Sequence, residues 1–169
     1  MIVVADTSPL NYILQLGLIE DLHLIYGKIV VPTGVLRELR HPQSPQIVRL
    51  WFGSLPEWVE LKSAHRTDPT LPLHLGAGET EGINLALEFQ PSLLLIDDLP
   101  GRRAAEERNI QVTGTLTILL QMALLKEFDY GAKLDELRAL GFRASESILK
   151  RVEEEFSRVR RTAIKRENR

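Results

Sequence analysis

Short apolar, β-branched runs alternate along this chain with stretches whose apolar positions recur every three or four residues. The pattern predicts strands at 2–5, 28–31, 58–61, 93–96 and 110–112. Between them it predicts helices at 8–25 with a break near Gly17, then at 33–40, 44–54, 77–90, 101–108 and 115–126. Pro32 is placed in a first helical turn, where its missing N–H costs nothing. Gly76-Ala77-Gly78 precedes an apolar stripe at Ile83, Leu85, Ala86, Leu87 and Phe89, and 62–75, with Thr67-Asp68-Pro69-Thr70-Leu71-Pro72, reads as a loop. Further helices are expected at 133–140 and 145–165, broken at Gly141, the second capped by Ser145 with Leu149, Val152 and Phe156 behind it. This βαβα order predicts an α/β fold, a three-layer sandwich with a mostly parallel central sheet covered on both faces. The main domain is assigned to 1–130 and a helical C-terminal extension to 131–169.

Composition narrows the chemistry. A chain of 169 residues fits one domain, which buries roughly 70% of the surface its unfolded form exposes. With 44% apolar and 26% charged residues it has the make-up of a soluble globular protein. The absence of cysteine excludes disulfides, zinc–thiolate sites and thiol nucleophiles. No basic-then-apolar leader opens the chain and its apolar runs are too short to span a bilayer, so a cytoplasmic, membrane-free protein is expected. Net charge is −2, but Arg158, Arg160, Arg161, Lys165, Arg166 and Arg169 against Glu167 make the tail basic. Such a tail is either a solvated helix end or a phosphate-attracting arm.

The candidate chemistry is carboxylate. Asp6 ends the first strand, in Ile2-Val3-Val4-Ala5-Asp6-Thr7-Ser8-Pro9, and alone it reads as a helix N-cap, a job Thr7 or Ser8 could share. Glu38 borders the apolar face Val35, Leu36 and Leu39 of the helix after the second strand; alone it reads as a surface partner of Arg37 or Arg40. Glu79 falls in the first turn of its helix, where the dipole favours acids, and Glu81, two positions on, lies on another face. Asp97 and Asp98 are adjacent carboxylates at a strand end, costly unless solvated or neutralised by a cation. Together the four positions return acids to one sheet edge, where parallel α/β folds bind ligands. Oxygen ligands of this kind suit Mg²⁺ or Mn²⁺. His23, His41, His65 and His74 are scattered and read as surface or loop residues.

Other features are secondary. Ile47, Val48, Leu50, Trp51, Phe52 and Leu55, with Trp58 just beyond, make an unusually apolar stretch; about half are expected in the core, and any remainder left exposed would mark a partner surface for a second subunit or an antitoxin helix. Arg102 and Arg103 follow Asp97-Asp98 and either contact RNA phosphate or pair with Glu106 and Glu107. A phosphoacceptor role for Asp97 or Asp98 would need a lysine at a later strand end, which Ile110-Gln111-Val112-Thr113-Gly114 does not supply.

The order Val3-Val4-Ala5-Asp6-Thr7-Ser8-Pro9-Leu10, Val31-Pro32 leading to Glu38-Leu39, Glu79 heading Ile83-Asn84-Leu85-Ala86-Leu87-Glu88, then Leu94-Leu95-Ile96-Asp97-Asp98 resembles a PIN domain, the nuclease fold of many bacterial and archaeal toxin ribonucleases. The likeness covers roughly the first three-quarters of the chain. It implies a Mg²⁺- or Mn²⁺-dependent endoribonuclease whose ligands are Asp6, Glu38, Glu79 and Asp98, with Asp97 the alternative to Asp98 and Thr7 or Ser8 a supporting hydroxyl. It also implies an RNA substrate, a small antitoxin partner and a homodimer. Two departures stand out: Glu79 replaces the usual Asp at the head of its helix, and Ile96-Asp97-Asp98 replaces Thr-x-Asp before the fourth acid. Gly114-Thr115-Leu116 and the helical tail resemble a PIN-related branch. The alternative is a PIN-fold binding or regulatory module without a working site.

Overall fold

The computed structural model describes residues 1–152, 154, 157 and 158. By compactness the chain divides into Met1–Thr115 and Leu116–Arg169.

The first unit is an α/β sandwich around five parallel strands in the order β3-β2-β1-β4-β5. The strands are β1 (Ile2–Ala5), β2 (Ile29–Pro32), β3 (Val59–Lys62), β4 (Ser92–Leu95) and β5 (Gln111–Thr113). They match the predicted runs to within a residue, because β-branched and apolar clusters bounded by polar turns leave the register little freedom. The central strands are apolar on consecutive residues, as expected of parallel strands buried on both faces. Val4, Val30 and Leu94 accordingly join one buried cluster with Ile83, Leu85, Ile96 and Ile110. The edge strand β3 is different: Glu60 and Lys62 pair at 2.6 Å along it, and charges on an edge discourage further strand pairing.

The helices are α1 (Thr7–Gln15), α2 (Asp21–Tyr26), α3 (Thr33–Leu39), α4 (Gln46–Trp51), α5 (Ala77–Glu88) and α6 (Leu99–Glu106). The break expected near Gly17 within 8–25 is present and separates α1 from α2. After α1, Gly17 takes φ +73°, its N–H reaches the Leu14 carbonyl and the Leu18 N–H reaches Ile13, a glycine-based Schellman stop. Pro32 is not in the first helical turn as expected; it closes β2 opposite Lys62 and immediately precedes α3. The 63–76 segment is irregular and anchored from below. Asn84 Oδ1 accepts the Asp68 amide, Glu88 accepts the His65 and Arg66 amides, and Arg108 Nε meets Asp68 at 2.6 Å.

In the second unit, α7 (Thr115–Lys126, whose first residue belongs to the first unit) is apolar almost all round and buries Ile118, Leu119, Leu120 and Met122, while α8 (Tyr130–Ala139) buries Leu134 and Leu137. Gly141 ends α8 with the same Schellman bonds, Gly141 to Arg138 and Phe142 to Leu137. A helical segment starts at 146, where Ser145 Oγ accepts the Ile148 amide at 3.3 Å. Phe156 and the tail cations Arg160, Arg161, Lys165, Arg166 and Arg169 lie outside the described residues.

Candidate active site

The strand order reverses direction between β1 and β4, and a doubly wound sheet opens its ligand crevice at that switch point, beyond the carboxyl ends of the strands. Ala5 pairs with Leu95, and the Asp6 amide donates to the Leu95 carbonyl at 2.9 Å. Asp6 and Asp97 therefore leave the two central strands side by side.

Asp6 occupies the N-cap position of α1 but does not cap it with its side chain. It is 3% exposed, and its Oδ1 is buried without a hydrogen-bond partner among the described residues. Burial pushes its carboxyl up to about 7, the Thr7 amide opposes this, and the charges of Glu79, Glu38 and Asp97 add to the rise. A buried carboxylate with a bare oxygen and three acidic neighbours is a liability unless a cation joins it.

Each other acid is held at a helix N-terminus, where unpaired N–H groups and the dipole favour negative charge. Glu38 reaches from α3 to α5, accepting the Gly78 amide at 3.0 Å and the Thr7 hydroxyl on its other oxygen. It does not pair with Arg37 or Arg40. Glu79 Oε2 accepts the Gly76 amide at 2.9 Å at the head of its own helix, and burial, together with Asp98 and Glu38, raises its carboxyl above the usual range. Asp97 grips Thr115, accepting its amide at 2.8 Å and its hydroxyl at 2.6 Å. Burial still raises the Asp97 carboxyl, against the Thr115 bonds and the Arg102 charge. Asp98 is exposed and caps α6 through the Gly101 amide at 3.0 Å.

Asp6, Glu38, Glu79, Asp97 and Asp98 thus share one electrostatic neighbourhood, with Thr7 joining it through Glu38. Ser8 makes no side-chain bond there among the described residues. Arg102 is half-buried, donates from its guanidinium to the Ile96 carbonyl at 2.8 Å, and makes no ion pair with Glu106 or Glu107 among the described residues. Arg103 is exposed. Three participants were not foreseen. Glu81 accepts the Gly34 amide at 2.5 Å and the Thr33 hydroxyl at 3.0 Å, heading α3. Thr115 fixes Asp97, and its position just after Gly114 at a strand end was the available signal. Tyr12 lies near enough for the Asp97 charge to add to the burial that raises its phenol.

The donor set is all oxygen, which suits a hard divalent ion, and the bare Asp6 Oδ1 is the atom that such an ion would satisfy. As placed, no three acidic or imidazole groups among the described residues converge tightly enough to make a preset metal cage. No helix among the described residues is long and apolar enough to cross a membrane.

A search of curated proteins found no match, and a search of solved structures found none. A family model described as a PIN domain matches residues 2–158. PIN domains are generally nucleases that use divalent metal ions, which agrees with a parallel sheet bearing acids at its switch point. The chain belongs to the PIN domain family.

Proposed function

We propose that this protein is a metal-dependent endoribonuclease that hydrolyses RNA phosphodiesters, acting as the toxin component of a toxin–antitoxin pair in the cytoplasm. The observation that carries the reading is the buried, unpartnered Oδ1 of Asp6 beside the charges of Glu38, Glu79 and Asp97. Asp6, Glu38, Glu79 and Asp98 would hold Mg²⁺ or Mn²⁺, with Asp97 the alternative to Asp98. The bound ion would supply charge neutralisation at the phosphate and a more acidic water. The chain's own part is positional: Thr7 orients Glu38 by its hydroxyl, Gly76 fixes Glu79, and Thr115 holds Asp97. The nuclease domain is assigned to 1–130 with 131–169 as its helical extension. Ile47 (57% exposed) and Leu50 (68% exposed) on α4 are the apolar side chains we assign to a homodimer or antitoxin contact. The test is cleavage of single-stranded RNA by the purified protein with and without Mn²⁺. Asp6→Asn should abolish Mn²⁺-dependent cleavage in a protein that still folds, and wild-type rates in both Asp6→Asn and Asp98→Asn would end the proposal.

A second reading, a PIN-fold binding or regulatory module, is favoured by one observation: every acid except Asp6 already has a helix-capping or hydroxyl partner, and no preset cage exists among the described residues. It expects RNA or protein binding without cleavage at any Mn²⁺ concentration.

A further inference from the structure

Beside Glu38 lies a shallow, open hollow of about 440 Å³ lined by Arg37, Glu38, His41, Gln43 and Ser44. It is formed where α3 ends and the chain turns through 40–45, so Glu38 serves both the acid cluster and the wall of the hollow. The turn is built, not loose. The Ser44 amide donates to the His41 carbonyl at 2.9 Å and the Ser44 hydroxyl to the Glu38 carbonyl at 2.8 Å.

The donors of this wall are unequally used. Arg40 gives its Nε to the Phe52 carbonyl at 2.7 Å and Arg49 gives its Nε to the Ser44 carbonyl at 3.1 Å, so both are part of the scaffold. Arg37 is exposed and its guanidinium has no partner among the described residues. His41 Nδ1 accepts the Gln43 amide at 3.2 Å, which leaves Nε2–H as the donor of the neutral ring. The Gln43 side-chain amide likewise has no bond among the described residues. A guanidinium, an imidazole N–H and a carboxamide around one hollow offer a fork for phosphate and both donors and an acceptor for a base or ribose.

We propose that this hollow binds the nucleotide next to the cleaved phosphodiester of single-stranded RNA, with Arg37 on its phosphate and His41 and Gln43 on its base or ribose. The proposal rests on the ribonuclease reading above. An acid cluster repels a polyanion, and a cation adjoining Glu38 offsets that repulsion while setting the strand's path. An unpaired strand is required because a splayed base presents the edges such side chains read.

The test is binding of a fluorescent single-stranded RNA oligonucleotide to the Asp6→Asn protein, by anisotropy at several salt concentrations, so cleavage plays no part. Adding Arg37→Ala should weaken binding about 5-fold or more and reduce the slope of log affinity against log salt by about 0.7, the loss of one phosphate contact. Adding Gln43→Ala should weaken binding about 2- to 5-fold with the slope unchanged, since it removes no charge. Equal affinity and slope with and without Arg37 overturns the subsite, as does a failure of both the Asp6→Asn and the wild-type protein to bind RNA. An Arg37-dependent affinity in a wild-type protein that never cuts RNA supports the subsite and rejects the ribonuclease reading. Cleavage without Arg37-dependent binding does the reverse.

Discussion

Glu38 and Glu81 cap each other's helices. Glu38, on α3, accepts the Gly78 amide in the first turn of α5, and Glu81, on α5, accepts the Gly34 amide in the first turn of α3. The exchange is possible because both amides belong to glycines: a Cβ at Gly78 would lie 2.9 Å from Glu38 and one at Gly34 would lie 2.7 Å from Glu81. Two helices are thereby locked in the relation that keeps Glu38 beside Asp6. Glu81→Ala should cost about 1–2 kcal/mol, the usual loss of a carboxylate cap, read as a lower urea midpoint. Glu81→Gln, which keeps the acceptor, should recover most of it. A Glu81→Ala protein as stable as wild type would mean the bond contributes nothing.

Asp6 makes the metal-free protein less stable as pH rises. Its carboxyl, 3.8 in the unfolded chain, is pushed up to about 7 by burial. Between those values the native state binds more protons than the unfolded one, so stability falls with rising pH across the window and is lowest above 7. At about 1.4 kcal/mol per pH unit the ionised, unpartnered form is disfavoured by roughly 4 kcal/mol. Asp6→Asn should therefore be more stable than wild type at pH 8 in chelator, by a margin that shrinks toward pH 4. Urea unfolding at pH 4, 6 and 8 measures it, and a margin independent of pH would contradict the buried, ion-free carboxyl.

Asp97 and Asp98 should separate by stability. Asp97 holds two bonds to the buried Thr115, whereas exposed Asp98 holds one capping bond. Asp97→Ala leaves a buried amide and hydroxyl unpaired and should cost about 2–3 kcal/mol. Asp98→Ala should cost about 1 kcal/mol, and Asp98→Asn almost nothing, since Asn caps as well. Chemical denaturation of the three variants gives the order, and a larger loss for Asp98→Ala than for Asp97→Ala would show that the Thr115 bonds do not make Asp97 the stronger anchor.

The sheet was legible because its signal is local. A run such as Ile29-Val30-Val31 has no polar face to show solvent, so strand and burial follow together. The positions of the acids were legible for the same reason, each falling where a strand or helix ends. Their partners were not. Helical spacing puts Glu81 on a different face from Glu79, but nothing in one helix tells that this other face meets the head of α3, 47 residues earlier in sequence. Arg102 illustrates the converse. Beside two carboxylates and at a helix start it reads either as a phosphate contact or as a partner of Glu106 or Glu107, and the packed chain gives one of its guanidinium nitrogens a further partner, the Ile96 carbonyl. Burial decides such cases, and burial is a property of the packed chain.

The loop above α5 should loosen with acid. Bonds from the Thr70 hydroxyl and from Arg108, with the Thr70 amide, hold the Asp68 carboxyl down at about 2. A lowered carboxyl contributes stability above its unfolded value of 3.8 and loses it as pH falls through about 2. Hydrogen exchange at the Thr70 amide should stay protected at pH 4 and be lost toward pH 2, and Arg108→Ala should expose it at pH 7. Protection unchanged in Arg108→Ala would show that the loop is held elsewhere.

The proposed function requires Asp6 to hold a divalent metal. Calorimetric titration of Mn²⁺ into the wild-type protein and into Asp6→Asn at pH 7.5 tests it without reference to any RNA. Wild type should bind Mn²⁺ saturably below millimolar, and Asp6→Asn should not bind it. Binding of equal strength in both proteins, or in neither, would contradict it.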